Sequence, residues 1–414
     1  MKIAITNNIA LNGGDAAIML GMTKALRKRF GNDTKFVISS TYPEVCAELY
    51  PEYRWISVIG READATPYNH IRFIGRIARY LKHSRYYIAA YFRKNNIPLY
   101  KLLLCKHDIH TLNEYATSDY IISSGGTYLI EPYGIDAQYH DYRISLILGK
   151  PLVQYSQSMG PFTRKQTKER LRWIFNRCNT ILLRDQKSAA NVLGLGIKDE
   201  SIVHVVPDAA FALGDVEAMM SRKDDTMNKY GNVAISVRDW IHTTDDNTMP
   251  KYQKSIAEAI IMLVKKGYKI HFISTCQGIP YYSDDNQEVE KIMSLIPVQY
   301  HSNIVKYNHY LSIPTIQNLL HTMDFIIATR LHMSILSLIT GTPVYPIAYE
   351  FKTVELYHSL GYNRVDTLDS LSPTTFCNSI DAFIEWFTTT RRQKIYSRVV
   401  EYINNSMSVP TLIK

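Results

Sequence analysis

Cationic and acidic side chains stand at the ends of short β-rich runs in this sequence. Phe325-Ile326-Ile327-Ala328 leads into Thr329-Arg330-Leu331-His332-Met333 and then an apolar stretch that stops at Gly341. Free N–H groups and the positive end of the helix dipole collect at such a junction, making a ready anion site. Arg330 adds a forked donor and His332 a titratable one on the same turn. A phosphate or carboxylate suits this arrangement. The plainer alternative has Arg330 paired with an acid and His332 satisfied within the core. Ser236-Val237-Arg238-Asp239 repeats the pattern, and Leu183-Arg184-Asp185 is similar in the first half. Arg238 offers a second cation over the same anion. Each Arg-Asp neighbour pair also reads as a structural ion pair. Asp208 follows Pro207 at another strand end, where a turn or cap is equally open.

Glycine marks two further places. Gly13-Gly14-Asp15 and Gly125-Gly126-Thr127 follow strands, and glycine lets backbone approach a ligand closely. Asp15 suits a cap for the helix beyond it. Neither segment is a dinucleotide or P-loop fingerprint, and no G-x-S-x-G or H-E-x-x-H occurs. The acidic pairs Asp224-Asp225, Asp245-Asp246 and Asp284-Asp285 lie in polar stretches without a metal-ligand pattern, so no metal is expected.

The elements that must position these residues alternate. Strands are expected at Lys2–Thr6, Lys35–Ser39, Tyr120–Ile122, Pro151–Tyr155, Ile181–Leu183, Ile202–Val206, Val233–Val237, Lys269–Ser274, Phe325–Ala328 and Val344–Ile347, with helices between them. That rhythm implies parallel α/β sheets. Charge and Met in Gly214 to Gly231 suggest a linker. The expected division is 1–215, a linker at 216–231, 232–385, and a C-terminal helix over 386–414 that crosses back to the first domain. The fold class is α/β, two Rossmann-like domains facing a cleft, with ligands at the strand carboxyl ends.

The chain has 414 residues, 46% apolar and 21% charged, which excludes a largely disordered protein. Lys plus Arg number 47 and Asp plus Glu 38, a mild excess of +9 that suits anionic ligands. Five scattered cysteines give neither a disulfide framework nor a zinc site. No signal peptide or 18-residue apolar run is legible, so a cytoplasmic location is expected. Residues 70–110 hold nine Lys/Arg and one acid, Asp108. Ile71, Ile74, Ala78 and Leu81 form an apolar stripe there, as on a helix lying on anionic membrane or simply packed on its own domain. No nucleic-acid module is legible.

Taken together, the segments resemble the polysaccharide pyruvyl transferase family. The resemblance runs in order through Asn12-Gly13-Gly14-Asp15, Ser124-Gly125-Gly126-Thr127-Tyr128-Leu129, Gln157-Ser158-Met159-Gly160-Pro161-Phe162, Arg184-Asp185 with Ser188, Pro207-Asp208-Ala209-Ala210-Phe211, and Arg330-Leu331-His332 followed by Gly341-x-Pro343, Tyr349 and Lys352. Thr127 departs from the third glycine that many members carry. The resemblance implies an architecture similar to the GT-B glycosyltransferases. It implies transfer of the enolpyruvyl-derived group of phosphoenolpyruvate to two hydroxyls of one sugar, giving a pyruvate ketal on a surface glycan or its lipid-linked precursor. Phosphoenolpyruvate is then donor substrate, and no cofactor or metal is needed. Arg330, Leu331 and His332 would hold one donor anion, with Arg238 or Arg184 on the other. His332 is the candidate acid, and Asp15 or Asp208 the base. Gly13, Gly14, Asp15, Gly125, Gly126, Gln157, Tyr349 and Lys352 fall on the acceptor side. A nucleotide-sugar glycosyltransferase of the same architecture is the alternative. Peripheral contact with anionic membrane is a further expectation; nucleic acid is not an expected partner.

Overall fold

Hydrophobic runs of four to eight residues, each ending at a small or polar residue, become the strands of two parallel sheets. The computed structural model describes residues 1–60, 72–222, 231–240, 245–280, 282–349, 351–362, 365–387 and 389–414, without the side chains of 72–82, 351–352 and 389–390. The chain divides into two compact units. The first is Met1–Ala10, Ile18–Ala209 and Asn405–Lys414; the second is Leu11–Ala17 and Ala210–Asn404.

The first unit carries β1 (Lys2–Thr6), β2 (Lys35–Ser40), β3 (Arg54–Ser57), β4 (Tyr120–Ser123), β5 (Gly126–Leu129), β6 (Leu152–Met159), β7 (Thr180–Leu183) and β8 (Val203–Val205). They order as β3-β2-β1-β4-β6-β7-β8, with β5 paired to β6. All pairings are parallel. β6 is buried along its whole length, as a central parallel strand covered on both faces must be. Helices Arg72–Lys94, Lys106–Ala116, Asp136–Ile147 and Lys165–Phe175 contribute buried side chains such as Tyr86, Leu112, Tyr142 and Leu171 to its core.

The second unit carries β9 (Asn232–Ser236), β10 (Lys269–Phe272), β11 (Ile304–Lys306), β12 (Phe325–Ala328), β13 (Val344–Ala348) and β14 (Asp366–Thr367), in the order β11-β10-β9-β12-β13-β14. This is the doubly wound order, reversing between β9 and β12. The helix Leu331–Ile339 is apolar on nearly every side and buried accordingly.

Several expectations change. Asn12, not Asp15, supplies the side-chain bond at the start of the helix Gly13–Phe30: its Oδ1 accepts from Gly14 N at 2.8 Å, and Asp15 lies inside the first turn. Gly126 to Leu129 forms a further strand, β5, because Thr127 and Tyr128 are strand formers. The stretch read as a linker opens with a helix, Val216–Ser221, capped by Asp215. Arg222 beyond it is buried and donates to Thr342 Oγ1 at 2.8 Å and His321 O at 3.0 Å, so this part is packed. Residues 223–230 lie outside the described residues, as does the apolar stripe over 71–81. The C-terminal helix spans Thr389–Ser408. The final carbonyl, Lys414 O, accepts from Tyr120 Oη at 3.0 Å and Asn179 Nδ2 at 3.1 Å.

Candidate active site

In the second unit Arg238 and Arg330 stand just past the ends of β9 and β12. β12 ends as Thr329 N bonds back to Ser236 O at 2.9 Å. Arg330 then takes the N-cap position of the helix Leu331–Ile339, with an extended backbone. Its guanidinium is mostly buried and forks onto Asp285, Nε to Oδ2 and Nη2 to Oδ1, both at 2.5 Å. Asp285 also accepts from Ser274 at the end of β10. Burial works against the charge on Arg330, the paired Asp285 carboxylate favours it, and its pKa lies above the ordinary arginine value. The plainer reading of Arg330 is therefore partly realised, since it does have an acid partner. The fork leaves Nη1 as the third nitrogen.

Arg238, two residues past β9, lies over the rings of Tyr349 and Trp240, 4.6 and 4.8 Å from their centroids, and donates to Tyr349 Oη at 2.5 Å. Stacking fixes the plane of a guanidinium without using up its charge. Its sequence neighbour Asp239 pairs instead with Lys291, at 3.0 Å. Tyr349 is thus a partner of the Arg238 guanidinium. The side chain of Lys352 lies outside the described residues.

Residues 11–17 group with this same unit. Gly13 N donates to Thr275 O at 2.9 Å, and a Cβ on Gly13 would lie 2.4 Å from that oxygen. A Cβ on Gly14 would lie 2.5 Å from His332 Nδ1. The two glycines therefore let the start of the helix approach the β10 loop and the His332 ring. Asn12 Nδ2 donates to Tyr282 Oη at 3.2 Å. Burial pushes the Cys276 thiol up to about 11 and the Tyr282 phenol up to about 12, so both are neutral at pH 7. The charge of Asp15 reaches both groups, which places this buried carboxylate in the same cluster.

The first unit holds the other candidates. Arg184, just after β7, donates from Nη1 to Asp208 at 2.7 Å, from Nε to Ser158 Oγ at 2.7 Å and from Nη2 to Thr127 Oγ1 at 2.8 Å. Thr127, the departure from the glycine pattern, is thus a ligand of this arginine. Asp185 instead caps the helix Gln186–Leu193 through Ser188 N, at 2.7 Å. Gln157 is fully buried and donates to Ser123 Oγ at 2.6 Å, so it braces the sheet and presents no surface. A Cβ on Gly125 would sit 2.9 Å from Ser156 O, so that glycine serves close packing. Among the described residues no group of His, Cys, Asp and Glu has metal-holding geometry.

Residues 12–350 match the family model for polysaccharide pyruvyl transferase. The chain belongs to the polysaccharide pyruvyl transferase family. The amylovoran biosynthesis protein AmsJ of Erwinia amylovora is 24% identical over 378 residues, 87% of this chain and 86% of that protein. In fold, the chain is similar to Alr3699/HepE of Anabaena, solved with UDP-glucose, at a TM-score of 0.53 and 13% identity over 99% of both chains. It is also similar to the UDP-GlcNAc 2-epimerase of Methanocaldococcus jannaschii, at a TM-score of 0.54 and 12% identity over 97% of this chain and all of the other. The pyruvyl transferase is thus a GT-B-like α/β protein and a transferase of polysaccharide biosynthesis.

Two residues of the cluster around Arg330 escaped the sequence reading. Asp285 stood in a pair dismissed as polar loop, and Cys276 carried no motif. A carboxylate 45 residues before its arginine has no local signature; only the adjacency of β10, β9 and β12 brings the two together.

Proposed function

We propose that this pyruvyl transferase uses phosphoenolpyruvate as donor and forms a cyclic pyruvate ketal on two hydroxyls of one sugar, on a surface polysaccharide or its lipid-linked precursor, releasing phosphate. The observation that carries the reading is Arg330 and His332 at the start of the helix Leu331–Ile339, with Arg238 past the strand next to β12. The donor carries a phosphate and a carboxylate. Arg330, oriented by Asp285, and the helix N–H groups suit one anion; the stacked Arg238 suits the other. Arg184 is taken up by Asp208, Ser158 and Thr127, which leaves Arg238 as the better second anchor.

The chemistry needs a proton on the donor methylene, which makes the central carbon electrophilic. His332 supplies it, its ring position set by the missing Cβ of Gly14. Phosphate then leaves against the guanidinium charge and the helix N-terminus.

The test is thermal unfolding with phosphoenolpyruvate, inorganic phosphate, pyruvate and UDP. A ligand at 100 times its Kd adds about 2.7 kcal/mol. The expected result is stabilisation by phosphoenolpyruvate that disappears in Arg330→Ala. Stabilisation by UDP alone would overturn the reading in favour of a glycosyltransferase.

We also propose work at the inner face of the cytoplasmic membrane on a lipid-linked acceptor. No helix among the described residues is long and apolar enough to cross a membrane. Ile88, Tyr91, Leu99 and Leu102 are exposed close in sequence to Arg93, Lys94, Lys101 and Lys106, a mixture suited to an anionic lipid surface. Failure to co-sediment with phosphatidylglycerol vesicles at low salt would refute this.

A further inference from the structure

The first unit holds a cationic cavity that the transfer chemistry above leaves unused. Its volume is about 510 Å³, inside the range of small-molecule sites, ~300–1,000 Å³. Three guanidiniums line it: Arg143 from the helix Asp136–Ile147, Arg170 from the helix Lys165–Phe175, and Arg164 at the N-cap of the latter. Every lining residue belongs to the first unit, so the cavity lies within that unit alone.

Two carboxylates also line it, and both are already engaged. Asp136 takes Arg170. Glu131 accepts from the Thr163 hydroxyl, from Thr163 N at 2.9 Å and from Arg164 N at 2.8 Å, which hold its carboxyl down at about 2. Among the described residues no carboxylate pairs with the guanidinium of Arg143 or of Arg164. Arg143 stacks instead, its Cζ 4.2 Å from the centroid of the Tyr87 ring and 5.7 Å from that of Trp173. Stacking orients a guanidinium and leaves its N–H fork for an anion. Three arginines against two acids leave one positive charge. His140 adds none, since burial and His83 push it down to about 3.

The rest of the wall is largely aromatic. The Tyr139 ring lies 5.0 Å from Arg170 Cζ. The rings of His83 and His140 stack 3.5 Å apart, and Tyr87 is hydrogen-bonded to His140. His83, Tyr87 and His140 also line an adjoining cavity of about 320 Å³. There Asp141 accepts from the Thr6 hydroxyl, and Asn7 and Gln138 add amides. No Lys or Arg stands among the described residues that line it. One cavity thus suits an anion and the other suits uncharged hydroxyls. Rings with polar edges offer flat faces to the C–H side of a sugar. A bare phosphate would leave those faces and most of the volume unfilled.

We propose that the arginine cavity binds an acidic saccharide, with its phosphate or carboxylate on Arg143 and Arg164, its ring against Tyr87 and Tyr139, and a neutral neighbouring sugar in the adjoining cavity. Arg170, held by Asp136, shapes the wall and adds to the positive field. No bond is made or broken here. The site is independent of the donor that the second unit takes.

The experiment titrates the full chain with glucose 1-phosphate, glucuronate, glucose and inorganic phosphate, read by calorimetry. At least one of the two acidic sugars should bind more tightly than glucose and than inorganic phosphate. Preference for glucuronate assigns a carboxylate to the site, and preference for glucose 1-phosphate a phosphate; either supports it. Arg143→Gln and Arg164→Gln should each weaken that binding at least ~10-fold, the loss of one charge-assisted hydrogen bond. Arg164 is exposed, so its variant removes charge without touching the core. Arg238→Gln, in the second unit, should leave the affinity unchanged. Failure of both acids to bind more tightly than glucose, or full affinity in both Arg143→Gln and Arg164→Gln, would overturn the proposal. If phosphoenolpyruvate fails to stabilise the wild-type chain while the acidic sugar still binds and is lost in Arg143→Gln, the pyruvyl-transfer reading falls and this site stands.

Discussion

Arg330 and Asp285 meet as a fork on a carboxylate, two bonds of 2.5 Å with both side chains largely out of solvent. Removing one member of such a pair strands the other's charge, at a cost of about 3–5 kcal/mol. Asp285→Ala is therefore expected to lower the melting temperature sharply. Asp285→Asn, which keeps the shape but loses the charge, should fall less and should raise KM for phosphoenolpyruvate as Arg330 loses its orientation. Melting curves and donor titrations of the two variants check this.

Gly14 and His332 give a second prediction. An alanine at 14 pushes a Cβ to 2.5 Å from Nδ1, and the ring must shift. A displaced catalytic group costs on the order of 100-fold in rate. Gly14→Ala should reduce kcat by roughly that factor with a small change in melting temperature. Gly13→Ala drives its Cβ against a backbone oxygen, Thr275 O, and should chiefly destabilise.

Arg184 separates support from catalysis. Its three side-chain bonds lie within the first unit. Arg184→Ala should melt lower by several degrees, since buried Asp208 loses the guanidinium charge that faces it. Stabilisation by phosphoenolpyruvate should survive. Loss of that stabilisation in a folded variant would return Arg184 to the donor site.

Asp141 predicts a pH effect with a definite sign. Its folded pKa, about 6, lies above the ordinary 3.8, so the folded state favours the protonated form. Stability from this group is present in acid and is lost as pH rises through about 6. At pH 7 the ionised carboxylate is a burden, and Asp141→Asn should be more stable there by on the order of 1 kcal/mol, allowing for its partial exposure. The gain should vanish near pH 4. Chemical denaturation of both proteins at the two pH values decides the matter. A less stable variant at pH 7 would contradict it.

The strands were legible because each is a short apolar run, and β1 and β12 fall on the expected residues. The short β3, β11 and β14 were not, because two to four partly exposed residues carry no period. The placement of Arg330 and His332 between a strand end and a helix start was legible because such a junction is local in sequence. Asp141 sits mid-helix between His140 and Tyr142 and looks like any solvated position; only the packing of that helix beside Thr6 gives it a hydroxyl partner. The distinction between Arg238 and Arg184 was likewise hidden, since both follow a strand and precede an aspartate, and only their partners differ.

The chain passes from one unit to the other four times, after residues 10, 17, 209 and 404. No single cut yields two autonomous halves. A fragment starting at Ala210 lacks Leu11–Ala17, including the glycine beside His332, and carries the last ten residues of the other unit. Reassembling the protein from pieces therefore needs the amino-terminal peptide supplied in trans. Residues 12–15 and 330–332, more than 300 apart in the chain, therefore fold as parts of one unit.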